Sequence, residues 1–430
     1  MSDVRLRLLF CDNLSIPRGK YLQYKGDQDG CSRFCRSTFG VHYDKDLLDA
    51  PGAMMMEGLP DMEARYLGKD IRDCWEKKTK VVIGELYDHH GEPLELCGRA
   101  ALKRAIEDWR KHDLYPKVGI EMEAFAFTQS SEGELTPYGT PGAVVYGTGA
   151  FTDPLRFTNA IWEKSHEMGF HLEMITAEYD SPQFEFTLRY DEALKAIDDM
   201  FLFRLMAREI ALEYGVLLTF MPKPIPSAGG SGMHINFSFT DKDGKNALSN
   251  GEIGGPGNLN ELGKGCLAGL MHHHQGLAGI LAPTANSYAR LQQGCLSGYW
   301  QNWGGDHRGV TARISMEGGE KARIEHRMAD FTANPYIAVA AVLQASRLGY
   351  ENGYELQPAE TGDCFDHTDA KIRVAPDLRR AMKDLENDRE LGEAVGRLIV
   401  DNLQFMKEKE FKKTKNLEGE ELRDFYIFYI

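Results

Sequence analysis

The sequence predicts an α+β chain with a smaller N-terminal domain, residues 1–96, and a larger one, residues 97–430. Length and composition come first: 430 residues, 42% hydrophobic and 27% charged, are enough for one large core and a second small one. Strand-like stretches with period-two alternation then recur along the chain, several with polar side chains on one face and apolar ones on the other, as in half-buried antiparallel strands. Finally, these stretches are separated by runs with helical spacing of apolar positions.

Val4 to Phe10 alternates and is followed by the turn residues Asp12, Asn13, Pro17 and Gly19, which predicts an opening hairpin. Lys80 to Tyr87 reads as one further strand and Arg99 to Trp109 as a helix, with the domain boundary between Glu95 and Arg99. Val118 to Phe125 is a strand that places Glu121 and Glu123 on one face, where they repel each other unless a cation sits between them. A Gly-rich loop, 137–149, leads to a helix from about Pro154 to Met168. Gln183 to Tyr190 sends Gln183, Glu185, Thr187 and Arg189 one way and Phe184, Phe186, Leu188 and Tyr190 the other.

Asp191 to Tyr214 reads as a helix. A Gly-rich loop, 228–232, then delivers the strand Met233 to Ser238, with His234, Asn236 and Ser238 on one face. Phosphate-cradling loops precede helices rather than strands, so these glycines read as allowing close backbone approach to a ligand. Helical spacing runs from Leu259 to Leu281, and again from Tyr336 to Gly349, with two more helices expected after an irregular acidic segment.

Between those helices, Arg323-Ile324-Glu325-His326-Arg327 reads as a strand with Arg323, Glu325 and Arg327 on one face. Alone, this stretch fits a solvated ion pair on an exposed edge strand as well as it fits a buried site. Its recurrence with other strand-borne polar faces favours the site.

The formal charge of −15 argues against a nucleic-acid partner, since such a surface repels phosphate backbones. No stretch has the order of a signal peptide or the length of a membrane span, so a soluble cytoplasmic protein without a membrane partner is expected. The eight cysteines lack zinc-site spacing and read as free thiols in a reducing compartment. Consecutive helical residues diverge, so His272, His273 and His274 are not expected to share a metal. Lys407, Lys409, Lys412, Lys413 and Lys415, interleaved with Glu408 and Glu410, read as a solvated helix or tail.

Collected, the strand-borne candidates are Glu121, Glu123, Glu178, Glu185, His234 and Glu325, with Arg290, Arg308, Arg313, Arg323 and Arg327. Five carboxylates and one imidazole suit hard divalent ions, Mg2+ or Mn2+, and more than one ion is needed to balance them. Arginines beside such ions suggest phosphoryl transfer.

Five motifs carry a resemblance: Gly-Ile-Glu-Met-Glu (119–123), Glu-Tyr-Asp-Ser-Pro-Gln-Phe-Glu (178–185), Met-Pro-Lys-Pro followed by Gly-Ser-Gly-Met-His (221–234), Pro-Thr-Ala-Asn-Ser-Tyr-Ala-Arg (283–290), and Arg-Ile-Glu-His-Arg to Asn-Pro-Tyr (323–336). In order and spacing they resemble the glutamine synthetase family of carboxylate–amine ligases. The resemblance implies a small N-terminal β-grasp domain and a catalytic domain with an antiparallel half-barrel sheet covered by helices. It also implies a homo-oligomer of stacked rings whose active sites are shared between neighbouring subunits.

By position, the resemblance gives Glu123, Glu178 and Glu185 to one metal and Glu121, His234 and Glu325 to the other, with at least two Mg2+ or Mn2+ ions per site. Gly230, Gly232, Arg290 and Arg327 would line the amino-acid site, while Glu173, Ser238, Arg313 and Arg323 would face ATP. Arg308 would sit at the transferring phosphoryl group, and Glu57, with Asp61 as the other option, would be lent to a neighbour's site. The implied substrates are ATP, L-glutamate and an amine.

The chain departs from the family pattern in three places. Leu296 stands where ammonia-using members carry a flap Glu, Asp306 precedes Arg308 through His307 where Asn is usual, and Gly229 replaces a common Asn. Losing the flap carboxylate weakens an ammonium site and gives an alkyl group apolar contact. The expected activity is therefore a γ-glutamylamide synthetase, with ammonia-using glutamine synthetase as the alternative. A non-catalytic member of the family is a further reading, and the complete ligand set opposes it.

Overall fold

A computed structural model describes residues 3–139 and 142–430, so Thr140 and Pro141 of the 137–149 loop lie outside the described residues. The N-terminal strands are β1 (Arg5–Cys11), β2 (Pro17–Gln23), β3 (Gly30–Cys35), β4 (Asp61–Tyr66), β5 (Arg72–Asp73), β6 (Thr79–Ile83) and β7 (Glu85–Tyr87). The expected hairpin is present: β1 and β2 pair antiparallel from Arg5↔Gln23 to Cys11↔Pro17. Its turn is closed by the Asp12 carboxylate, which accepts from the Leu14 and Ile16 amides, each at 2.9 Å, and from Arg18 Nε at 2.7 Å.

The predicted strand Lys80–Tyr87 is two strands in different sheets. β6 lies parallel to β1 in the sheet β2-β1-β6-β5, whereas β7 pairs with β4 in the sheet β3-β4-β7. The chain changes sheet at Gly84, whose N–H donates to the Leu9 carbonyl at 2.8 Å and whose missing Cβ would stand 2.9 Å from that of Ala64. Only a residue without a side chain allows that approach.

The larger region begins with α1 (Gly98–Arg110), β8 (Tyr115–Gln129), β9 (Leu135–Pro137), α2 (Phe157–Glu167), β10 (Leu172–Ala177), β11 (Gln183–Leu188) and β12 (Asp191–Glu192). It continues with α3 (Ala193–Glu213), β13 (Val216–Thr219), β14 (Met233–Thr240), α4 (Glu261–His272), α5 (His274–Leu281), α6 (Ser287–Arg290), β15 (Trp303–Gly304), β16 (Ala312–Ile314) and β17 (Ile324–His326). It closes with α7 (Pro335–Asn352), α8 (Leu378–Asn387), α9 (Arg389–Val395), α10 (Arg397–Thr414) and α11 (Gly419–Tyr426).

The large sheet runs β10-β11-β8-β14-β17-β16-β15, with β9, β12 and β13 also paired to β8. Its pairings are antiparallel except β15 with β16, and among the described residues it does not close into a barrel. β8 is the spine of this sheet because its 15 residues are long enough to pair along both edges. Ile120, Met122 and Ala124 of β8, Phe184 and Phe186 of β11, Met233 and Ile235 of β14 and Ile324 of β17 are buried on the apolar face, where α1 and α3 pack. Period-two alternation then forces the intervening polar residues to the opposite face.

α1 buries Ala101, Leu102, Ala105, Ile106 and Trp109 along one stripe, and Trp109 Nε1 donates to the Leu343 carbonyl of α7 at 2.9 Å. Asn334 caps α7 by accepting from the Tyr336 and Ile337 amides at 2.9 and 3.1 Å, and its Nδ2 donates to the Asp12 carbonyl at 2.8 Å. The Asn-Pro-Tyr motif thus ties the helix start to the opening hairpin.

Other expectations require correction. The helix expected from Pro154 starts at Phe157, and the expected Leu259–Leu281 helix is interrupted at His273. Among the described residues four helices follow α7 instead of two, divided at Asp388, at Gly396 with φ 130°, and at the 415–418 turn. The lysine cluster is not wholly solvated. Lys407 is buried, its Nζ 2.7 Å from Glu410 Oε2, and Glu410 also accepts from the Tyr426 hydroxyl at 2.7 Å. A charge at that depth persists only with such partners.

Candidate functional site

Register assembles the polar face. Glu185 of β11 lies opposite Glu123 of β8, Glu121 lies opposite His234 of β14, and Asn236 lies opposite Glu325 of β17, which in turn faces Arg313 of β16. Donor atoms of Glu121, His234 and Glu325 fall within 4.8 Å of one another, as do those of Glu123, Glu178 and Glu185. These are the same two groups of three that the family resemblance implies. Glu178 reaches its group from the turn between β10 and β11, where its amide donates to the Gln183 carbonyl at 2.9 Å.

Hydrogen bonds orient the carboxylates. His234 Nδ1 stands 3.1 Å from Glu121 Oε2 and 3.6 Å from Glu325 Oε1, and Asn236 Nδ2 donates to Glu121 Oε1 at 3.1 Å. The Gly232 amide donates to Glu123 Oε2 at 2.6 Å, and Thr187 Oγ1 donates to Glu185 Oε1 at 3.2 Å. Glu325 receives Arg313 Nη1 at 3.2 Å on one oxygen and Arg327 Nη1 on the other. Asn236 and Thr187 are visible in the sequence on the correct strand faces but not among its candidates, because alternation locates a face without telling which uncharged residues bond the carboxylates.

Charge divides the cluster. Burial pushes Glu185 upward, and the negative neighbours Glu121, Glu123 and Glu178 carry it to about 8. Burial followed by Glu123 also raises Glu178. Glu121 behaves oppositely: burial works against its charge, but hydrogen bonding and charge from His234, then Arg327 and Asn236, hold it at about 2. Crowded carboxylates with a raised proton affinity are the chemistry of a divalent-cation site, in which the cation replaces the proton. The donor set therefore fits Mg2+ or Mn2+.

A pH-dependent effect follows. Without a cation, the proton on Glu185 stabilises the fold at low pH, and that contribution is lost as pH rises from the ordinary carboxylate range towards about 8. A divalent cation should thus raise the melting temperature more at about pH 8.5 than at about pH 6. Scanning calorimetry with and without Mg2+ measures this, and an equal or reversed gain would contradict cation binding at Glu185.

The remaining candidates apart from Glu57 lie around this centre. Glu173, Thr187, Tyr190, Asn236, Ser238 and Arg323 line a cavity of about 290 Å3 that also reaches Glu121. Three of the four residues expected to face ATP are there, while the fourth, Arg313, bonds Glu325 and Asp306. Lys117 also lines the cavity and carries no signal in the sequence that would single it out. Arg308 is exposed and bears electrostatically on Glu178 and Asp306. The Nε atoms of Arg313 and Arg327 are buried without a hydrogen-bond partner among the described residues.

Gly230 and Gly232 lie against Arg290: a Cβ at Gly230 would stand 2.5 Å from Arg290 Cγ, and one at Gly232 would stand 2.5 Å from Arg290 Nη2. Arg290 itself donates from Nη1 to the Met328 carbonyl at 2.8 Å and from Nη2 to the Arg327 carbonyl at 2.9 Å. In this arrangement it holds the backbone that presents Arg327. Gln183, absent from the sequence candidates, bonds the Gly230 carbonyl at 3.0 Å, and Asp180 accepts the Gly229 amide. Glu57 is exposed in a turn before β4, outside the assembled centre, where its charge acts on Arg36.

The model of the family described as glutamine synthetase, catalytic domain, matches residues 95–424. The chain belongs to the glutamine synthetase family. A glutamine synthetase of Pyrococcus woesei is 29% identical over 406 residues, covering 91% of this chain and 86% of that one. A glutamate–isopropylamine ligase of Pseudomonas sp. is 29% identical over 315 residues, covering 72% of this chain and 66% of that protein. A solved structure described as apo GmaS without ligand superposes with a TM-score of 0.82 at 25% identity, covering 98% of this chain and 96% of the other. This glutamine synthetase family member is accordingly an enzyme, a ligase forming C–N bonds. Enzymes of the family use ATP and divalent metals. Among the described residues, no helix is long and apolar enough to cross a membrane.

Proposed function

We propose that this ligase joins a small organic amine to the γ-carboxyl of L-glutamate through a γ-glutamyl phosphate, releasing ADP and phosphate. Leu296 carries the reading. By the register of the family motif it falls where ammonia-using members carry a flap Glu; it is 42% exposed, and its carbonyl accepts Arg327 Nη2 at 3.3 Å. An apolar side chain there gives contact to an alkyl group and no counter-charge to ammonium. The similarity to a glutamate–isopropylamine ligase supports the same reading.

In this reading Glu123, Glu178 and Glu185, and separately Glu121, His234 and Glu325, would hold divalent ions, Mg2+ or Mn2+, which would supply positive charge to neutralise phosphate. Arg308, Arg313 and Arg327 place guanidiniums where phosphoryl charge develops, and Glu173, Ser238 and Arg323 border the nucleotide. Arg290, Gly230 and Gly232 shape the amino-acid site. A γ-carboxylate oxygen of glutamate attacks the γ-phosphorus, and ADP leaves. The amine nitrogen then attacks the acyl carbon, phosphate leaves, and the surplus amine proton passes to a carboxylate.

Glu57 of a neighbouring subunit is our candidate for that carboxylate, in a ring-forming, cytoplasmic homo-oligomer. Within each subunit, residues 1–96 form the lending domain and 97–430 the catalytic one. ATP-dependent phosphate release with glutamate should be faster with methylamine, ethylamine or ethanolamine than with ammonia. Leu296→Glu should shift the kcat/KM ratio towards ammonia by about 10-fold. Strict ammonia dependence of the parent protein would instead establish a glutamine synthetase, the reading favoured by relatives such as that of Pyrococcus woesei.

A further inference from the structure

His272, His273 and His274 would diverge on a continuous helix, but the chain is not helical through them. His273 is the single residue between α4, which ends at His272, and α5, which starts at His274, and has φ −91° and ψ 9°. Around this break, donor atoms of His272, His273 and Glu390 of α9 come within 4.8 Å of one another.

Two of the three residues are already oriented. Both Asp388 oxygens lie close to His273 Nδ1, at 3.0 and 2.9 Å, which places the ring proton on Nδ1 and leaves Nε2 with its lone pair. That Nε2 is buried, on a residue only 1% exposed, and has no hydrogen-bond partner among the described residues. Glu390 accepts from the Tyr354 hydroxyl at 2.6 Å and from Asn352 Nδ2 at 2.8 Å. The exposed His272 ring stacks on Tyr354 with centroids 4.1 Å apart and planes 19° apart.

We propose that His272, His273 and Glu390 form a binding site for a transition-metal ion of the Zn2+ class, distinct from the carboxylate-rich centre. Two imidazoles and a carboxylate form a borderline N/O donor set. It suits Zn2+ with a water completing four-coordination and is poorly matched to Mg2+, which prefers oxygen ligands. Asp388 to His273 is the carboxylate–imidazole pairing that fixes a metal-ligating ring, and the Tyr354 and Asn352 bonds do the same for Glu390. Helical geometry is what made a shared metal unexpected for these histidines, and the break at His273 removes that objection.

The test uses full-length protein stripped with chelator and dialysed against Zn2+ in excess Mg2+, with metal counted per chain by atomic emission. Wild type should retain one more Zn2+ per chain than H272N or E390Q, both of which alter polar groups at the surface. D388N should bind this ion about 10- to 100-fold more weakly. Co2+ bound to wild type should show the visible absorption of an imidazole-ligated ion, diminished in H272N. Equal Zn2+ counts and equal Co2+ spectra in wild type, H272N and E390Q would overturn the proposal.

Discussion

Glu325→Gln is expected to lower the rate of ATP-dependent amide formation by about 100-fold while leaving the fold intact. The substitution preserves shape and volume but removes the charge on which two guanidiniums converge, Arg313 Nη1 at 3.2 Å and Arg327 Nη1 on the other oxygen. It also alters the set shared with His234 and Glu121, because His234 Nδ1 lies 3.6 Å from Glu325 Oε1. Residue 325 is 5% exposed, so solvent screens the two guanidiniums poorly once the carboxylate charge is gone. Circular dichroism checks the fold, and phosphate release under saturating ATP, glutamate and amine measures kcat. A variant turning over within a few-fold of the parent would show that the Arg–Glu–His arrangement is not part of the catalytic centre.

Gly269→Ala is expected to destabilise the protein by about 3 kcal/mol or more. α4 and α7 cross at glycines: a Cβ on Gly269 would overlap the Ala345 carbonyl and stand 2.8 Å from the Gly349 amide, while a Cβ at Gly265 would stand 2.8 Å from Tyr350 Cα. These obstacles are backbone, so no rotamer change relieves them, and the helices must separate. Separation would disturb Trp109, which donates to the Leu343 carbonyl and is fully buried. Gly251, where an added Cβ would meet nothing within 4 Å, is the control whose Ala variant should unfold with the parent. Denaturant unfolding of the two variants decides the matter, and a parental midpoint for Gly269→Ala would refute the close-crossing account.

Much of the centre was legible because strands display their chemistry with period two. Glu121 with Glu123, Glu185 with Thr187, His234 with Asn236, and Glu325 each sit where alternation placed them. Backbone interruptions were less legible. Gly84 divides one apparent strand between two sheets, and His273 divides one apparent helix, because tertiary contacts decide where a locally favourable pattern stops. Lys407 shows the same limit for charge: its sequence neighbours are those of a solvated helix, yet its Nζ is buried on Glu410.

The sequence alone determined the α+β class, the functionalised strand faces and the family to which the chain belongs, since periodicity and motif spacing are one-dimensional properties. Tertiary structure alone decided that Glu185 is pushed up to about 8 while Glu121 is held at about 2, that Arg290 supports the 327–329 backbone, and that two of three consecutive histidines converge with Glu390. The reason is physical: proton affinity, burial and ligand geometry depend on distances between groups far apart in the chain, and only strand register and helix packing set those distances.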